Sequence, residues 1–291
     1  MEKIHIFADS AGDIPQEYVE KYQIDILPVQ VTHEGRTFRE YYDMTPQRYW
    51  KLLEESDEIP RTSQVTPAQF LDCYRRAHEN GCTHALGILM NAKGSGGFQS
   101  AGIAREMFYE EYGTDMRIKL VDSETYTMIY GRVVLDAARM RDAGDSFDAI
   151  LGVVRSRLKR CEAILGVYTL KHLKKSGRIS GGAAFVGEAL GLKPLSLVSA
   201  GAVTVCEKAR GEKNLLPKMA EMAGRRAVAP EKQTAGLLYG DVDESKIAEL
   251  ERLLLEKAGF AAVERWPIGI SVITNTGPKA LAVMYYGEAH G

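Results

Sequence analysis

The sequence has no long apolar run, no clustered cysteines and no surplus of either charge, and each absence removes a class of protein. Nowhere in its 291 residues do eighteen apolar residues follow one another, so no segment reads as a transmembrane helix. The opening stretch to Asp9 carries carboxylates and no extended apolar core, which is not the pattern of a secretory signal peptide. Only four cysteines occur, Cys73, Cys82, Cys161 and Cys206, and none forms a C-x-x-C pair. That spacing argues against a zinc site or a disulfide framework and suits a reducing, cytoplasmic compartment. Lys and Arg number 37 against 39 Asp and Glu, for a net charge of −2. No broad basic field is available to hold nucleic acid or an anionic membrane. The P-loop and His-Glu-x-x-His signatures are also missing.

What remains is an ordinary globular composition, with 45% apolar and 26% charged residues. The length accommodates two domains. The first half alternates strand and helix signals. Strands are expected at Ile4–Ala8, Asp25–Val31, Ala85–Met90 and Arg117–Val121. Thr45-Pro46 and Thr66-Pro67 each read as an N-cap followed by proline in the first turn. Further helices are expected after the glycine-rich turn Lys93–Gly97, near Thr125–Arg141 and near Ser146–Arg160. This alternation predicts an α/β domain over 1–160 with a mostly parallel sheet flanked by helices. Strand candidates at Ile164–Tyr168, Leu195–Val198, Ala202–Cys206, Thr234–Tyr239, Val263–Pro267 and Ala282–Tyr285 predict an α+β domain with a mixed sheet over 161–291. A ligand tunnel is expected between or beside the two.

Ligands of open parallel sheets sit outside the carboxyl ends of the strands. Polar groups fall at several such ends: Asp9-Ser10, Asn91 with Ser95 beyond it, and Asp122-Ser123. Thr62-Ser63-Gln64 is expected in a loop just before a helix start. A glycine turn leading into a helix leaves bare amides pointing at an anion. Each serine or threonine also has an ordinary use in capping helices and closing turns, so their joint placement is the stronger signal.

Other readings compete. Ala8–Gly12 loosely resembles the strand-to-helix turn of a serine hydrolase, with Ser10 as nucleophile, but no histidine is clearly placed to activate it. Gly94–Gly97 invites a dinucleotide reading, with Asp122 as the ribose acid, but Gln99 stands where the third glycine belongs. Asp9 and Asp13 form an acidic pair without further ligands nearby. Lys171, Lys174, Lys175 and Arg178 offer a basic stretch that could compensate a helix terminus or dock an acidic partner or phosphate.

A series of motifs resembles the bacterial DegV family. Asp9-Ser10-Ala11-Gly12-Asp13-Ile14-Pro15 is similar to its opening D-S-x-x-D-I/L-P, and Thr62-Ser63-Gln64 to its T-S-Q. Ser95–Ala101 resembles its S-G-T-Y-Q-S-A, and Val121-Asp122-Ser123 its V-D-S. Leu170, Leu173, Lys175, Gly177, Arg178 and Ile179 follow its L-x-x-L-x-K-x-G-R-I, and Leu192-Lys193-Pro194 its L-K-P. The motifs stand in family order over nearly the whole chain.

The resemblance implies a non-catalytic, two-domain protein that binds one long-chain fatty acid in a tunnel, with no cofactor and no metal. It implies a fatty-acid kinase as partner, to which the carboxylate is presented. Carboxylate-binding residues carried over on this basis are Thr62, Ser63, Asn91, Ser95 and Gly96, with Ser10 and Asn275 secondary, while Arg178 and Arg210 face the partner or its phosphate. Phe185, Val186, Leu190, Leu192 and Leu195 are candidate wall residues. Two positions depart from the family. Asn91 and Ala92 stand where a Ser-Ser pair is usual, and Asn275 replaces the histidine of an H-x-G-P motif. An amide cannot exchange a proton as an imidazole does. A Ser10-dependent esterase, and an interaction protein for another anionic ligand or an acidic partner, are the alternatives.

Overall fold

The computed structural model of the chain describes residues 2–56, 58, 60–168, 172–173 and 191–290. Its first strand, β1 (Ile4–Asp9), ends in a short 3-10 turn at Ser10–Gly12 and leads into α1 (Gln16–Lys21). The expected strand Asp25–Val31 is two strands, β2 (Asp25–Leu27) and β3 (Gln30–His33). Pro28 lies between them, and it has no N–H to continue a ladder. After that break β3 leaves the main sheet. It pairs antiparallel with β4 (Arg36–Arg39) on one side and β5 (Arg61–Ser63) on the other. Thr62 and Ser63, expected in a loop, therefore sit on a strand, with Thr62 opposite Val31.

Both Thr-Pro starts form as the sequence predicts. α2 (Pro46–Glu55) is capped by Thr45, and α3 (Pro67–Glu79) by a reciprocal capping box of Thr66 and Gln69. Then come β6 (His84–Leu89), α4 (Gly97–Tyr112), β7 (Arg117–Asp122), α5 (Met128–Asp142) and α6 (Phe147–Leu158). Strands β2-β1-β6-β7 form an all-parallel sheet. The remaining elements are β8 (Cys161–Val167), β9 (Leu192–Ser199), β10 (Ala202–Arg210), α7 (Leu215–Arg226), β11 (Thr234–Tyr239), α8 (Glu244–Glu256), β12 (Ala262–Pro267), α9 (Ile270–Thr276) and β13 (Ala280–Tyr286). They build a six-stranded mixed sheet in the order β10-β9-β8-β13-β11-β12, in which β11 and β12 run parallel and the other pairs antiparallel. The expected α/β class holds, with a parallel sheet first and a mixed sheet after it.

Alternation along the strands explains the layering. Ile4, Ile6 and Ala8 of β1 point into one buried cluster, and Phe7 into another with Phe70, Tyr74 and Phe108 of α3 and α4. In β8 and β13, Ala163, Leu165, Ala280 and Ala282 join the first cluster, while Ile164, Leu281 and Val283 face α7 and α8. Period-two strands thus give each sheet two apolar faces. The shared inner cluster runs from the parallel sheet through α5 to the mixed sheet. Every residue of β8 is buried, as expected of a strand covered on both faces.

The approach of α5 to the first turn is close. A Cβ on Gly131 would lie 2.1 Å from the Gly12 carbonyl oxygen. The nearest contact is backbone and cannot rotate away, so Gly131→Ala is expected to destabilise the protein by about 1–3 kcal/mol, in the range of other overpacked cores. Urea denaturation measures this, and an unchanged midpoint would refute the contact.

Candidate functional site

The carboxyl ends of β1, β6 and β7 converge, and carboxylates hold the turns and loops that lead away from them. Asp9 accepts from the Met90 amide at 2.8 Å and from the Tyr130 hydroxyl at 2.7 Å. Asp122 Oδ1 accepts from the Ala92 amide at 3.0 Å and the Glu124 amide at 2.9 Å. Asp13 accepts from the Gly269 amide at 2.8 Å, and Glu40 from the Ser271 amide at 2.6 Å. These last two bonds fix the start of α9 against the first turn and against the residue that follows β4.

Asp9, Asp13 and Glu40 have no lysine, arginine or histidine ion partner among the described residues. Burial raises the Asp9 carboxyl above its ordinary range, against the bonds from Met90 and Tyr130. Burial, and then the neighbouring charge of Glu40, push Asp13 well above it. Glu40 is raised by burial against the bonds from Ser271 and Ser10. Acids shifted this way bind protons more tightly folded than unfolded, so their effect on stability turns unfavourable as pH rises above the ordinary carboxylate range.

Beside this cluster lies a cavity of about 380 Å³, within the size range of small-molecule sites. Its deep wall is apolar and comes from the inner face of the mixed sheet and from α5: Ile129, Leu165, Val198, Val203, Leu238 and Ala282. Its polar side carries Thr62, Ser63 and Gln64 from the end of β5 onward, Lys93 to Gly96 from the glycine turn, and Ser271, Asn275 and Thr276 from α9. The turn is built for close approach. A Cβ on Gly96 would meet the Gln64 side chain at 2.2 Å, and one on Gly94 the Tyr126 hydroxyl at 2.4 Å. Ser95 Oγ accepts from the Gly97 amide at 3.2 Å, a local turn bond of the ordinary kind.

The expected site residues separate into those at the cavity and those elsewhere. Thr62, Ser63, Ser95, Gly96 and Asn275 line it. Asn91 does not: it is only 1% exposed, and its amide nitrogen donates to Tyr126 Oη at 2.7 Å and the Gly201 carbonyl at 3.0 Å. Its oxygen accepts from the Lys93 amide. Gly201 is in the β9–β10 turn, where Ala200 and Gly201 both have positive φ, as a tight hairpin requires. Asn91 therefore pins the tip of a hairpin whose Val198 and Val203 wall the cavity.

Ser10 is also away from the cavity lining. Its hydroxyl donates to Glu40 at 2.7 Å and accepts from the Val29 amide at 2.9 Å. No histidine among the described residues hydrogen-bonds it. Arg210 ends β10, exposed and outside the cavity lining. Arg178, Phe185, Val186 and Leu190 lie outside the described residues. Leu192, at the start of β9, is outside the lining. Leu195 faces the outer cluster with α7, not the cavity.

Sequence reasoning passed over Lys93, Tyr126, Thr127 and Ser271 as site residues. Lys93 stands at the mouth with its ammonium 3.3 Å from the Ala200 carbonyl. The cue for it was available, a cation inside the glycine turn. His5, Asp25 and Cys73 bring three ligand-type atoms within 4.8 Å of one another. Burial opposes ionisation of Asp25, yet bonds from His5 and Arg76 hold its carboxyl down to about 2. Arg76, which donates to Asp25 at 2.8 Å, already serves as its counter-charge.

Fold and cavity together define a layered α/β protein enclosing an apolar chamber with a hydroxyl- and amide-lined mouth. The DegV family profile, described as "Uncharacterised protein, DegV family", matches residues 3–288. The chain belongs to the DegV family. A DegV domain-containing protein of Clostridium perfringens is 32% identical over 293 residues, covering 99% of both chains. The fatty-acid-binding DegV family protein of Thermus thermophilus shares 28% identity at a TM-score of 0.87, covering 98% of this chain and 100% of that one. The fatty-acid-binding DegV family protein of Streptococcus agalactiae shares 26% identity at a TM-score of 0.87, covering 99% and 100%.

The carboxylate cluster gives a pH signature. Asp13→Asn keeps an oxygen to accept from Gly269 and removes the most strongly raised acid. The variant is expected to lose less stability than the parent between mildly acidic and mildly alkaline pH, measured by urea denaturation across that range. An unchanged slope would show that Asp13 titrates normally.

Proposed function

We propose that this protein binds one long-chain fatty acid, tail in the chamber and carboxylate at the polar mouth, and carries or presents it without catalysing a reaction itself. The observation that carries this reading is the pairing of a deep apolar wall with converging hydroxyls and helix-start amides. Each buried methylene contributes about 0.8 kcal/mol. A tail of about fourteen methylenes thus supplies on the order of 11 kcal/mol, before the ordering costs of binding. The head needs only hydrogen bonds, because an unpaired buried carboxylate is too costly. Thr62 and the Gly96 end of α4 supply these donors, with Ser63, Ser95 and Asn275 beside them. Helix N-termini favour anions, and Lys93 adds a positive charge at the mouth. The structural relatives known as fatty-acid-binding proteins match over nearly their whole length.

The open mouth suits presentation of the carboxylate to a fatty-acid kinase, and exposed Arg210 is available to such a partner. Asn91, which the family pattern suggested for the head group, acts through the hairpin instead. The esterase alternative is disfavoured because both hydrogen-bonding directions of Ser10 are taken up by Glu40 and Val29. No described helix is long and apolar enough to cross a membrane.

The test is mass spectrometry of an organic extract beside native mass spectrometry of the intact protein. One fatty acid per chain is the expected result, and Thr62→Val is expected to weaken binding by about tenfold, as loss of a hydrogen bond to a charged group does. Protein that carries no lipid and refuses added fatty acids would overturn the reading.

A further inference from the structure

Thr127 occupies the N-cap of α5 but does not cap it. Elsewhere in this chain, the residue before the helix uses its hydroxyl in the usual way: Thr45, Thr66 and Ser146 each accept from an amide in the first turn. Thr127 makes no such bond. Its backbone stands at φ 58° and ψ −157°, a region that a β-branched residue adopts only under constraint. The constraint is visible. The Thr127 amide donates to the Ala11 carbonyl at 2.9 Å, and Gly131, one turn on, lies against the Gly12 backbone.

The consequence is a hydroxyl that the helix does not use. Thr127 is 4% exposed and lines the chamber, and its Oγ1 has no hydrogen-bond partner among the described residues. A buried hydroxyl left unpaired is unfavourable, and native structures rarely keep one without a use. Ser271 is equally buried and also lines the cavity. Its hydroxyl, however, lies beside the Glu40 carboxylate, out of hydrogen-bonding geometry but near enough to favour that charge. No described carboxylate plays that part for the Thr127 hydroxyl.

We infer that Thr127 is a ligand-binding residue whose hydroxyl donates to the carboxylate of the bound fatty acid. The inference rests on the fatty-acid reading, since the carboxylate carries the only oxygens such a ligand has. It moves the head group inward. Ser63 at the mouth is exposed and Thr62 half-buried, whereas Thr127 is buried at the junction of the polar mouth and the apolar wall begun by Ile129. It also supplies a hydroxyl where Ala92 has none to offer.

The experiment uses hexadecanoic acid labelled with carbon-13 at the carboxyl or at the terminal methyl, bound to the full-length protein and followed by NMR and by titration. Thr127→Ser is expected to bind as the parent does. Thr127→Val and Thr127→Gly are expected to shift the carboxyl resonance, leave the methyl resonance in place, and weaken binding by about tenfold or more, in line with loss of a hydrogen bond to a charged acceptor. Glycine relaxes the positive φ, so Thr127→Gly is expected to keep its thermal midpoint while losing affinity, and it serves if the valine variant does not fold. An unchanged carboxyl resonance and affinity in folded Thr127→Gly, or a shift confined to the methyl end, overturns the assignment while the fatty-acid reading stands. Failure of the parent to take up either labelled acid overturns both.

Discussion

Asp13 and Glu40 accept from the Gly269 and Ser271 amides, and the arrangement of the cavity depends on those two bonds. They anchor the start of α9, a helix of only seven residues, to two segments more than two hundred residues earlier in the chain, the first turn and the end of β4. Short helices have little stability of their own. This one is further held by Tyr49, whose hydroxyl meets that of Thr274 at 2.7 Å, and by Trp50, which donates to the Ile268 carbonyl. Ser271, Asn275 and Thr276 reach the cavity because α9 is fixed in this way. The three carboxylates have no cationic partner among the described residues, which is consistent with their raised proton affinity. The cluster orders backbone amides at some expense in electrostatic stability.

The same economy of contacts recurs at the opposite wall. Asn91 holds the β9–β10 hairpin through Gly201, and Asp122 holds the loop that carries Asn91 and Ala92. The chamber is thus bounded by rigid strands on its apolar side and by hydrogen-bonded turns on its polar side. A ligand with one greasy end and one charged end matches that division. The polar elements come from several separate stretches of chain, and the inner apolar cluster joins both sheets.

Much of the architecture was legible in the sequence because its signals are local. Thr45-Pro46 and Thr66-Pro67 announce their helices, and alternating or continuous apolar runs mark β1, β6, β8 and β13. Strands β4 and β5 were missed because they are short, polar and exist only through pairing with β3. The separation of β2 from β3 was signalled by Pro28 and overlooked. Site residues divided in the same manner. Ser95 and Gly96 were legible from the glycine turn after a strand and Thr62 from its place before a helix start, but the direction of the Asn91 side chain depends on a turn 110 residues later. Ser10 could be read as a nucleophile because its partner Glu40 is on a distant segment. Thr127 fell inside the helix expected near Thr125–Arg141, and only its backbone conformation sets it apart at the helix start.

The most direct test of a chamber built for an acyl chain is the location of a heavy atom on the ligand tail. A crystal structure with a long-chain fatty acid brominated at its terminal carbon is expected to show anomalous scattering inside the chamber, against Leu165, Leu238 or Ala282. Bromine on the outer surface, or at the mouth beside Thr62 and Lys93, would contradict the claim that the chamber between the sheets holds the tail.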